Sequence, residues 1–566
     1  MEKRIVECVP NFSEGRNKEV IREICTAIES VAGIKLLNVD PGEATNRTVV
    51  TFVGEPEAVV EAAFQGVKRA GELIDMRVHK GEHPRMGATD VLPLIPISGI
   101  TLAECATLAR ELAQRIAEEL AIPTYCYEES AFIPERRNLA VCRAGEYEAL
   151  PEKLARKESA PDFGARPFDE RVARTGATTV GARDFLIAVN FNLNTTSTRR
   201  ANAIAFDVRE KGRAKREGNP ITGKIIRDEQ GEPVMLPGTL KATKAIGWFI
   251  EEYGIAQVSM NITNITTTPL HVAFDEVCRK ADARGVRVTG TEIVGLVPKR
   301  ALLEAGRYFL HKQHRSTGIS EEEIIRIAIK SMGLDYLKPF HPEEKVIEYL
   351  LEADDAKKRL IDMTCKGFAE ETASESPAPG GGSISAYMGA LGAALGTMVA
   401  NLSSHKAGWD ERWEEFSEWA ERGQAILSEL LHLVDEDTEA FNRIMAVFAM
   451  PKTTDEERAA RSEALQEATL YATQVPLRTM KASMRVFNLV EAMASEGNPN
   501  SVSDAGVGAL AARSAVLGAR LNVRINAAGL KDRVVAEKLI AEADALAAET
   551  EKREQKVLAI VEQKIG

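Results

Sequence analysis

The sequence predicts two α/β subdomains, each a sheet with helices on one face, followed by an all-α antiparallel helix bundle. Strand and helix patterns open the chain in the order β-α-β-β-α-β, which is typical of a ferredoxin-like split β-α-β unit. A second alternating block begins at the apolar run 185–191, and strand patterns nearly vanish after about residue 356. At 566 residues the chain is also too long for a single core.

The first block contains short β-branched and aromatic runs bounded by turn residues, alternating with segments of helical periodicity. Its predicted strands cover residues 4–9, 34–39, 48–53, 90–97 and 123–127, and its predicted helices cover residues 18–30, 56–74 and 102–120. In the second block the predicted strands cover residues 185–191, 247–250, 256–262 and 287–297, and the helices cover residues 201–210, 272–284 and 300–312. Between them, Gly218–Gly238 is rich in Gly, Pro and charge, and it predicts an exposed insertion.

Helical periodicity fills the rest of the chain. The predicted helices cover residues 383–402, 413–445, 456–474, 477–495, 503–527 and 531–564, which predicts a bundle of five or six long helices. We therefore expect an N-terminal subdomain at 1–183, a second subdomain at 184–351, a linker at 352–359 and a bundle at 360–566. Two adjacent α/β subdomains leave a groove between them, which is a common place for a ligand.

Composition excludes several classes of protein. The net charge of −12 argues against a nucleic-acid partner, because phosphate contacts need a broad basic surface. Seven scattered cysteines without a CxxC pair favour reduced thiols in the cytoplasm and offer no zinc framework. The N-terminus has no apolar signal region. Residues 383–402 are free of charge and long enough to span a bilayer, but their Gly/Ala/Ser content favours a buried bundle helix over a membrane span.

The strongest polar pattern in the first block is His79-Lys-Gly-Glu-His83-Pro-Arg85-Met-Gly-Ala-Thr-Asp90. It places His83 on a loop just before a predicted strand, where functional groups are often displayed. Gly81 and Pro84 break the helix that an HExxH zinc site requires. A single loop histidine is often no more than a hydrogen-bonding residue, so catalysis remains one of two interpretations here.

Three further segments carry weaker patterns. The loop containing Asp40 follows a predicted strand, and its residue types also suit an ordinary turn. The connecting segment 161–181 combines Gly, Arg and an aromatic residue, as a groove for a flat anionic ligand would, but it is equally explained as a linker. Gly380, Gly381, Gly382 and Ser383 precede a helix, and free N–H groups there suit an anion or a ring carbonyl, although three glycines can also provide only flexibility.

In the bundle, Asp437 lies within the apolar stripe of its helix, four residues after Leu433 and four before Phe441. A carboxylate that faces a bundle interior is costly unless it is paired or used. The neighbouring Asp435, Glu436 and Glu439 are expected to be solvated. Asp504 is a second candidate carboxylate, beside Ser and Asn residues that helix capping already explains.

Long segments of the chain resemble a known enzyme family. The segments VECVPNFSEGRN, TNRTVVTFVG, GEHPRMGATDVLPLIP, RAGEYEALPEKL, APDFG and GATTVGARDFLIAVNFNL resemble glutamate formimidoyltransferase. The segments APGGGS, LVDEDTEAFNRIMAVFAMPK and NPNSVSDAGVGA resemble formimidoyltetrahydrofolate cyclodeaminase. Both matches occur in the order of the fused enzyme and cover nearly the whole chain.

This resemblance implies the site residues and the reaction. His83 would be the general acid/base of the transferase, Asp40 would assist it, and Asp437 would be the catalytic aspartate of the cyclodeaminase. The folate-lining residues would be Gly164, Ala165, Arg166, Gly176, Ala177, Thr178 and Gly181 in the first half, and Gly380, Gly381, Gly382, Ser383 and Asp504 in the second.

The implied substrates are tetrahydrofolate, carried with a polyglutamate tail, and N-formimidoyl-L-glutamate, in histidine degradation without a metal. The family also implies a homo-oligomer with dimer contacts in both halves. Two alternatives remain: a non-catalytic folate-binding scaffold, and a transferase with a degenerate cyclodeaminase half. Whether formylglutamate is a second donor stays open.

Overall fold

A computed structural model describes residues 4–43, 46–81, 85–218, 223–354 and 359–566. The chain forms two compact units. The first comprises Met1–Ala301 and Gly333–Leu351, and the second comprises Leu302–Met332 and Glu352–Gly566. The sheets described below belong to the first unit, and the second unit is helical.

The N-terminal sheet has seven strands, and three helices cover one of its faces. The strands are β1 (Ile5–Cys8), β2 (Asn11–Phe12), β3 (Lys35–Gly42), β4 (Arg47–Gly54), β5 (Thr89–Ser98), β6 (Thr124–Glu128) and β7 (Thr178–Ala182), and the helices are α1 (Lys18–Glu29), α2 (Pro56–Leu73) and α3 (Leu102–Leu120). Strands β1 and β2 both lie between β4 and β5, so they are successive segments of one strand position. The core between sheet and helices contains Val6, Phe52, Leu92 and Ile116.

The sequence did not predict strand β7, which lies in the segment interpreted as a connecting loop. It pairs in parallel with both β5 and β6, so it completes one side of the sheet. All five residues of β7 are buried. A short strand buried on both faces shows no alternation of apolar and polar residues, which is why its periodicity gave no signal. Short helices α4 (Leu139–Arg143), α5 (Leu150–Ala155) and α6 (Glu170–Thr175) precede it.

The second subdomain has a four-stranded antiparallel sheet in the order β11-β12-β8-β13. Its elements are β8 (Ile187–Leu193), α7 (Thr198–Val208), β9 (Arg213–Ala214), β10 (Met235–Leu236), β11 (Thr243–Ile250), β12 (Ile255–Ile262), α8 (Leu270–Asp282) and β13 (Val288–Val294). Strand β11 begins at Thr243, four residues before the predicted start at 247. The small β9–β10 pair closes the base of the predicted insertion, whose residues 219–222 lie outside the described residues.

The remaining elements are helices. They are α9 (Lys299–Lys312), α10 (Glu321–Met332), α11 (Pro342–Lys345), α12 (Ile347–Asp354), α13 (Cys365–Thr372), α14 (Gly381–Ser404), α15 (Trp413–Phe448), α16 (Asp455–Glu496), α17 (Val502–Ala527) and α18 (Arg533–Ile565). Helix α14 is long and apolar enough to span a membrane, and 61% of its most apolar window is buried inside the structure. It packs closely against α17 at Gly392, where a β-carbon would lie only 2.9 Å from the Gly508 carbonyl oxygen.

The compact units divide the chain differently from the domain boundary expected at residue 351. Residues 302–332 belong with the helical unit, where the His314 ring stacks on Trp413 with centroids 5.5 Å apart. The Thr317 amide donates to the Ser417 hydroxyl at 3.0 Å, and Gly318 contacts Ala420 so closely that no β-carbon would fit. These contacts join residues about 100 positions apart, so local sequence patterns do not contain them.

Helix α16 runs unbroken through Pro476, where the sequence had predicted two separate helices. A proline inside a helix leaves the carbonyl four residues earlier without its N–H donor. Here the Asn526 side-chain amide of α17 donates to the Ala472 carbonyl oxygen at 2.7 Å. A side chain from a neighbouring helix thus replaces the missing backbone hydrogen bond and allows the helix to continue.

We predict that Asn526→Ala lowers the free energy of unfolding of the helical unit by about 1–2 kcal/mol, because the partly buried Ala472 carbonyl loses its donor. In a Pro476→Ala background residue 476 regains an N–H, so the same substitution should cost less than half as much. Urea denaturation of the four proteins of this double-mutant cycle measures the difference. Equal losses in both backgrounds would show that Asn526 does not substitute for the proline N–H.

Candidate active sites

Asp40 lies on the face of the first sheet that α1, α2 and α3 leave uncovered. It is directly opposite Val49 in β4, and Val49 is opposite Asn11 in β2. Opposed residues on paired strands point to the same face, while the next residue, Val50, belongs to the core beneath the helices. Asp40 is exposed. Asp40 and Asn11 therefore share the open face, on either side of β4.

Asn46 joins three loops at the end of the sheet near Asp40. Its side-chain oxygen accepts from the Gly15 amide at 3.0 Å, and its side-chain nitrogen donates to the Lys80 carbonyl at 3.0 Å. Its own carbonyl oxygen lies 2.9 Å from His79 Nε2. Asn46 is buried and has a φ of +47°, a conformation that asparagine adopts more readily than most residues. Asn46 therefore anchors His79 and Lys80, which precede the predicted catalytic histidine, and also contacts the loop at Gly15.

His83 itself lies outside the described residues, between Gly81 and Arg85. His79, four residues earlier, is among the described residues. Its Nε2 faces the Asn46 carbonyl, and Arg85 Nε donates to its Nδ1 at 3.4 Å, which assigns a neutral ring with the proton on Nε2. Burial lowers the pKa of His79, in agreement with that assignment. Arg85 also binds Glu148 at 2.8 Å and Glu146 at 3.2 Å.

Asp90 is the buried centre of this end of the sheet, with 1% of its surface exposed. One oxygen accepts from the Met86 amide at 2.9 Å, which closes the turn that follows the histidine loop. The other oxygen binds Arg47 Nη1 at 3.0 Å and Arg143 Nη2 at 2.7 Å. Burial lowers the pKa of Arg47 to about 10, although Asp90 opposes that shift. Arg47 also donates from Nε to Asn11 Oδ1 at 3.0 Å, so the cluster reaches the open face beside Asp40.

The two ends of the predicted folate loop pack against different parts of the subdomain. Gly164 packs against the end of α3, and Gly176 packs against Gly87, just after the histidine loop. Gly164 has a φ of +71° and contacts Ala117 of α3, Ala165 is exposed, and Arg166 donates to the Ala121 carbonyl at 3.2 Å. Gly176 lies against Gly87, and a β-carbon on it would be 2.3 Å from the Met86 carbonyl oxygen. The structure thus brings Gly176, but not Gly164 or Arg166, next to the loop that carries His83.

Thr178 and Gly181 are residues of strand β7 rather than loop residues, and Ala177 lies immediately before that strand, which corrects the sequence interpretation. Thr178 is opposite Thr124, whose hydroxyl donates to the Ala113 carbonyl of α3 at 3.0 Å. The Thr178 side chain therefore faces α3 and cannot line the open face. Gly181 lies on the open face beneath Tyr127, and a β-carbon there would be 2.4 Å from the tyrosine ring. Ala177 is fully buried in a small core with Tyr127.

In the helical unit, Asp437 of α15 lies against the N-terminus of α14. The Ser383 hydroxyl donates to Asp437 Oδ2 at 3.2 Å and to the Val434 carbonyl at 2.9 Å. A β-carbon at Gly382 would lie 2.1 Å from Asp437 Oδ1, so only glycine permits this approach. Burial raises the pKa of Asp437, while the Ser383 hydroxyl and amide act in the opposite direction. The half-buried carboxyl group is therefore biased towards its protonated form.

Helix α17 supplies the third side of this centre. A β-carbon at Gly381 would lie 3.5 Å from Asn522 Nδ2, so the glycines that begin α14 lie between Asp437 and Asn522. Gly380 is the N-cap residue of α14, and as a glycine it offers no side chain to the N–H groups of the first turn. The first turn of a helix carries unpaired N–H groups and a partial positive charge, which suit an anion or a carbonyl oxygen.

Glu436 was expected to be solvated, but it is buried with 7% of its surface exposed. Arg478 Nη1 and the Tyr471 hydroxyl both donate to its Oε1, at 2.7 Å and 2.6 Å. Burial raises the pKa of Glu436, but the Arg478 guanidinium and the Tyr471 hydroxyl outweigh burial and hold it below its ordinary value. Met445, which the same apolar spacing four residues after Phe441 would place on the stripe, is 49% exposed.

The structure separates Asp504 from Asp437. Asp504 lies in the first turn of α17, whereas Asn522 near the other end of α17 faces the N-terminus of α14. Gly508 contacts α14 at Gly392, ten residues beyond Gly382, and Asp504 is a further turn away. At 1.5 Å per residue this distance is about 15 Å or more. Within one copy of the chain, Asp504 therefore does not share a small ligand's reacting centre with Asp437.

Sequence reasoning missed Arg47 and Arg143 in the first unit, and Arg478 and Tyr471 in the second. Arg47 had a signal, because it opens the alternating strand RTVVTFVG and so shares a face with Val49. For Arg143 we find no local signal, since its partner Asp90 is 53 residues earlier in the chain.

The chain matches three family models. They are the N-terminal subdomain of the formiminotransferase domain at residues 5–183, the formiminotransferase domain at residues 188–352, and formiminotransferase-cyclodeaminase at residues 364–545.

Curated relatives match the whole chain and each half. The formimidoyltransferase-cyclodeaminase of Rattus norvegicus is 43% identical over 535 residues, which cover 94% of each chain. The glutamate formimidoyltransferase of Streptococcus pyogenes serotype M1 is 42% identical and covers 54% of this chain and 93% of its own. The methenyltetrahydrofolate cyclohydrolase of Methylorubrum extorquens is 39% identical and covers 36% of this chain and 98% of its own.

The similarity to the rat protein runs through both compact units and spans nearly the full length of either chain. On that extent of similarity, the chain belongs to the formimidoyltransferase-cyclodeaminase family.

Proposed function

We propose that this chain catalyses two consecutive reactions on tetrahydrofolate in histidine degradation. The first transfers the formimidoyl group of N-formimidoyl-L-glutamate to N5, and the second closes the ring to 5,10-methenyltetrahydrofolate and releases ammonia. The observation that carries this proposal is the half-buried carboxyl group of Asp437, whose pKa is raised by burial, at the glycine-rich start of α14.

In the transfer, N5 attacks the formimidoyl carbon, the new N5–C bond forms, and the bond from that carbon to the glutamate nitrogen breaks. N5 loses one proton and the departing amine gains one. His83 can accept the first and donate the second, because an imidazole titrates near neutral pH. Asp40 is the group that orients the ring and stabilises its charged form. The similarity of the first half to a glutamate formimidoyltransferase supports these roles.

In the cyclisation, N10 attacks the formimidoyl carbon on N5 and its proton passes to the imine nitrogen, which becomes an amino group. One further proton is needed before this group leaves as ammonia. Asp437 supplies that proton, because burial favours its neutral form. The relative that covers 36% of this chain is named methenyltetrahydrofolate cyclohydrolase, and methenyltetrahydrofolate is the product of the proposed cyclisation.

A polyglutamate tail on the folate would hold the intermediate while its pteridine moves from the first site to the second. The second encounter then becomes effectively intramolecular, which gives a physical reason for joining both activities in one chain. A cytoplasmic location suits these substrates, and none of the seven cysteines, all of them described residues, is in a disulfide bond.

We also propose that the chain forms a homo-oligomer with contacts in both halves. Exposed apolar side chains lie on α14 and on its neighbour α17: Leu391, Met398, Leu402, Val507 and Leu510. Strand β11 of the other unit exposes Ile246, Trp248 and Phe249. Such apolar surfaces are typical of permanent interfaces between copies of a chain.

The two catalytic roles predict separable defects in a coupled assay. With both substrates present, His83→Ala should lower the rate of glutamate release by about 10²–10⁴-fold, because no group then transfers the proton. Asp437→Asn should release glutamate at the wild-type rate but form methenyltetrahydrofolate and ammonia about 10²-fold or more slowly. Glu439→Gln, an exposed carboxylate on the same helix, is the control. A wild-type protein that binds folate but releases neither product would favour a scaffold, and one that releases only glutamate would favour a degenerate second half.

The raised pKa of Asp437 predicts a pH-dependent change in stability. Between its ordinary value of 3.8 and the raised value, the folded state binds more protons than the unfolded state, so stability falls as pH rises through that window. Asn does not ionise. Asp437→Asn should therefore raise the thermal midpoint at pH 7.5, and this gain should shrink towards pH 4. A gain that grew on acidification would contradict the raised pKa.

The oligomer proposal predicts that Val507→Glu, at 54% exposure on α17, weakens or abolishes self-association, because a charge in an apolar interface is strongly unfavourable. Val534→Glu is a matched control, since Val534 is 78% exposed on α18, outside this surface. Light scattering after size-exclusion chromatography gives the mass of each variant. If both variants keep the wild-type mass, the surface formed by α14 and α17 is not an interface.

A further inference from the structure

We propose that Arg143 binds a carboxylate of the formimidoyl donor, and that Asp90 and Arg47 position it for that task. This inference rests on the proposed transferase reaction and deepens it by assigning a residue that recognises the donor. N-Formimidoyl-L-glutamate carries two carboxylates close to the carbon that is transferred, so its recognition requires cationic donors near the reacting centre.

Arg143 is placed on the open face of the first sheet by α4. It is the last residue of that helix, and its neighbour Cys142 packs in the small core with Tyr127 and Val91. Val91 is in the same row across the sheet as Asn11, Val49 and Asp40. The helix therefore brings Arg143 to the sheet face that also bears Asp40.

The guanidinium of Arg143 is held by Asp90 through one nitrogen, and its side chain is partly exposed. Its Nη2 binds Asp90 Oδ2 at 2.7 Å, and 15% of the side chain is exposed. Its Nε is buried and has no hydrogen-bond partner among the described residues. A planar fork with one side held by Asp90 is suited to a ligand carboxylate on its other donors.

Asp90 positions the arginine rather than neutralising the site. It is a single carboxylate that already accepts from Arg47 and the Met86 amide as well as from Arg143. Arg143 also contributes to the lowered pKa of Arg47, which is a sign that the two cations lie close together in a poorly solvated place. An anionic ligand stabilises such a pair of cations.

The position of Arg47 favours the donor over folate as the source of the carboxylate. Arg47 is two residues before Val49, the partner of Asp40, so it is the diagonal neighbour of Asp40, at about 7–8 Å. In the donor, the α-carboxylate is attached to the carbon that bears the glutamate nitrogen, from which the formimidoyl group departs. In folate, the glutamate carboxylates are separated from N5 by the whole p-aminobenzoyl group. A carboxylate site beside Asp40 therefore fits the donor.

The test compares donors that differ by one charge. N-Formimidoyl-L-glutamate is assayed beside its two monoamides, in which either the α- or the γ-carboxylate is a neutral amide of the same shape. The wild-type kcat/KM should favour the diacid over one of the amides by about 10²-fold or more, because the site is built for a charged acceptor. Arg143→Gln should reduce this ratio at least about tenfold, with the KM for tetrahydrofolate unchanged. Arg143→Lys should retain an intermediate ratio, because it keeps the charge but loses the fork.

Arg110→Gln is the matched control, since Arg110 is half-buried and donates to the Ser130 carbonyl at 2.9 Å, away from Asp90. It should keep the wild-type ratio. If Arg143→Gln or, should that variant not fold, Arg143→Lys leaves the ratio unchanged, the inference is wrong. If these variants instead lose discrimination between tetrahydrofolate and tetrahydropteroate, which lacks the glutamate, the donor assignment is overturned in favour of folate. A wild type that turns over no donor would overturn the proposed transferase function itself.

Discussion

Removing a carboxylate from water is unfavourable by several kcal/mol unless protein donors replace the lost water, and both candidate sites depend on how this is achieved. Asp90 joins three segments that are distant in sequence, through Arg47, the Met86 amide and Arg143. Asp437 joins α15 to the start of α14 through Ser383. In each case the hydrogen bonds that the buried carboxyl group accepts also hold the backbone segments around the site together.

The number of cationic donors decides what each buried acid can do. Glu436 and Asp437 are consecutive residues on α15, yet their pKa values move in opposite directions. Glu436 has the Arg478 guanidinium and remains a carboxylate that holds α15 to α16. Asp437 has the Ser383 hydroxyl and amide and no full positive charge in contact with it among the described residues. One helix thus carries, side by side, a carboxylate whose pKa is lowered and the carboxyl group that we propose as a proton donor.

Close approach of backbone segments is the second shared feature of the two sites. Gly87 and Gly176 bring the histidine loop against the start of β7, and Gly382 allows the Asp437 carboxyl to reach the first turn of α14. A β-carbon at any of these positions would overlap a carbonyl or carboxyl oxygen. Elsewhere in the bundle a side chain reaches a backbone group that lacks its usual partner. Asn526 donates to the Ala472 carbonyl, which has no backbone N–H partner because residue 476 is proline.

The sequence by itself determined the fold class, the family and most helices and strands, because amphipathic periodicity and long motifs are local properties. It also singled out Asp437, since a carboxylate within an apolar stripe is visible in one helix. Tertiary structure alone decided that 178–182 is a strand, that α16 continues through Pro476, and that Glu436 is buried while Asp504 is remote from Asp437. It alone brought Arg143 to Asp90. Each of these outcomes depends on partners tens of residues away, and contacts of that range leave no periodicity in the sequence.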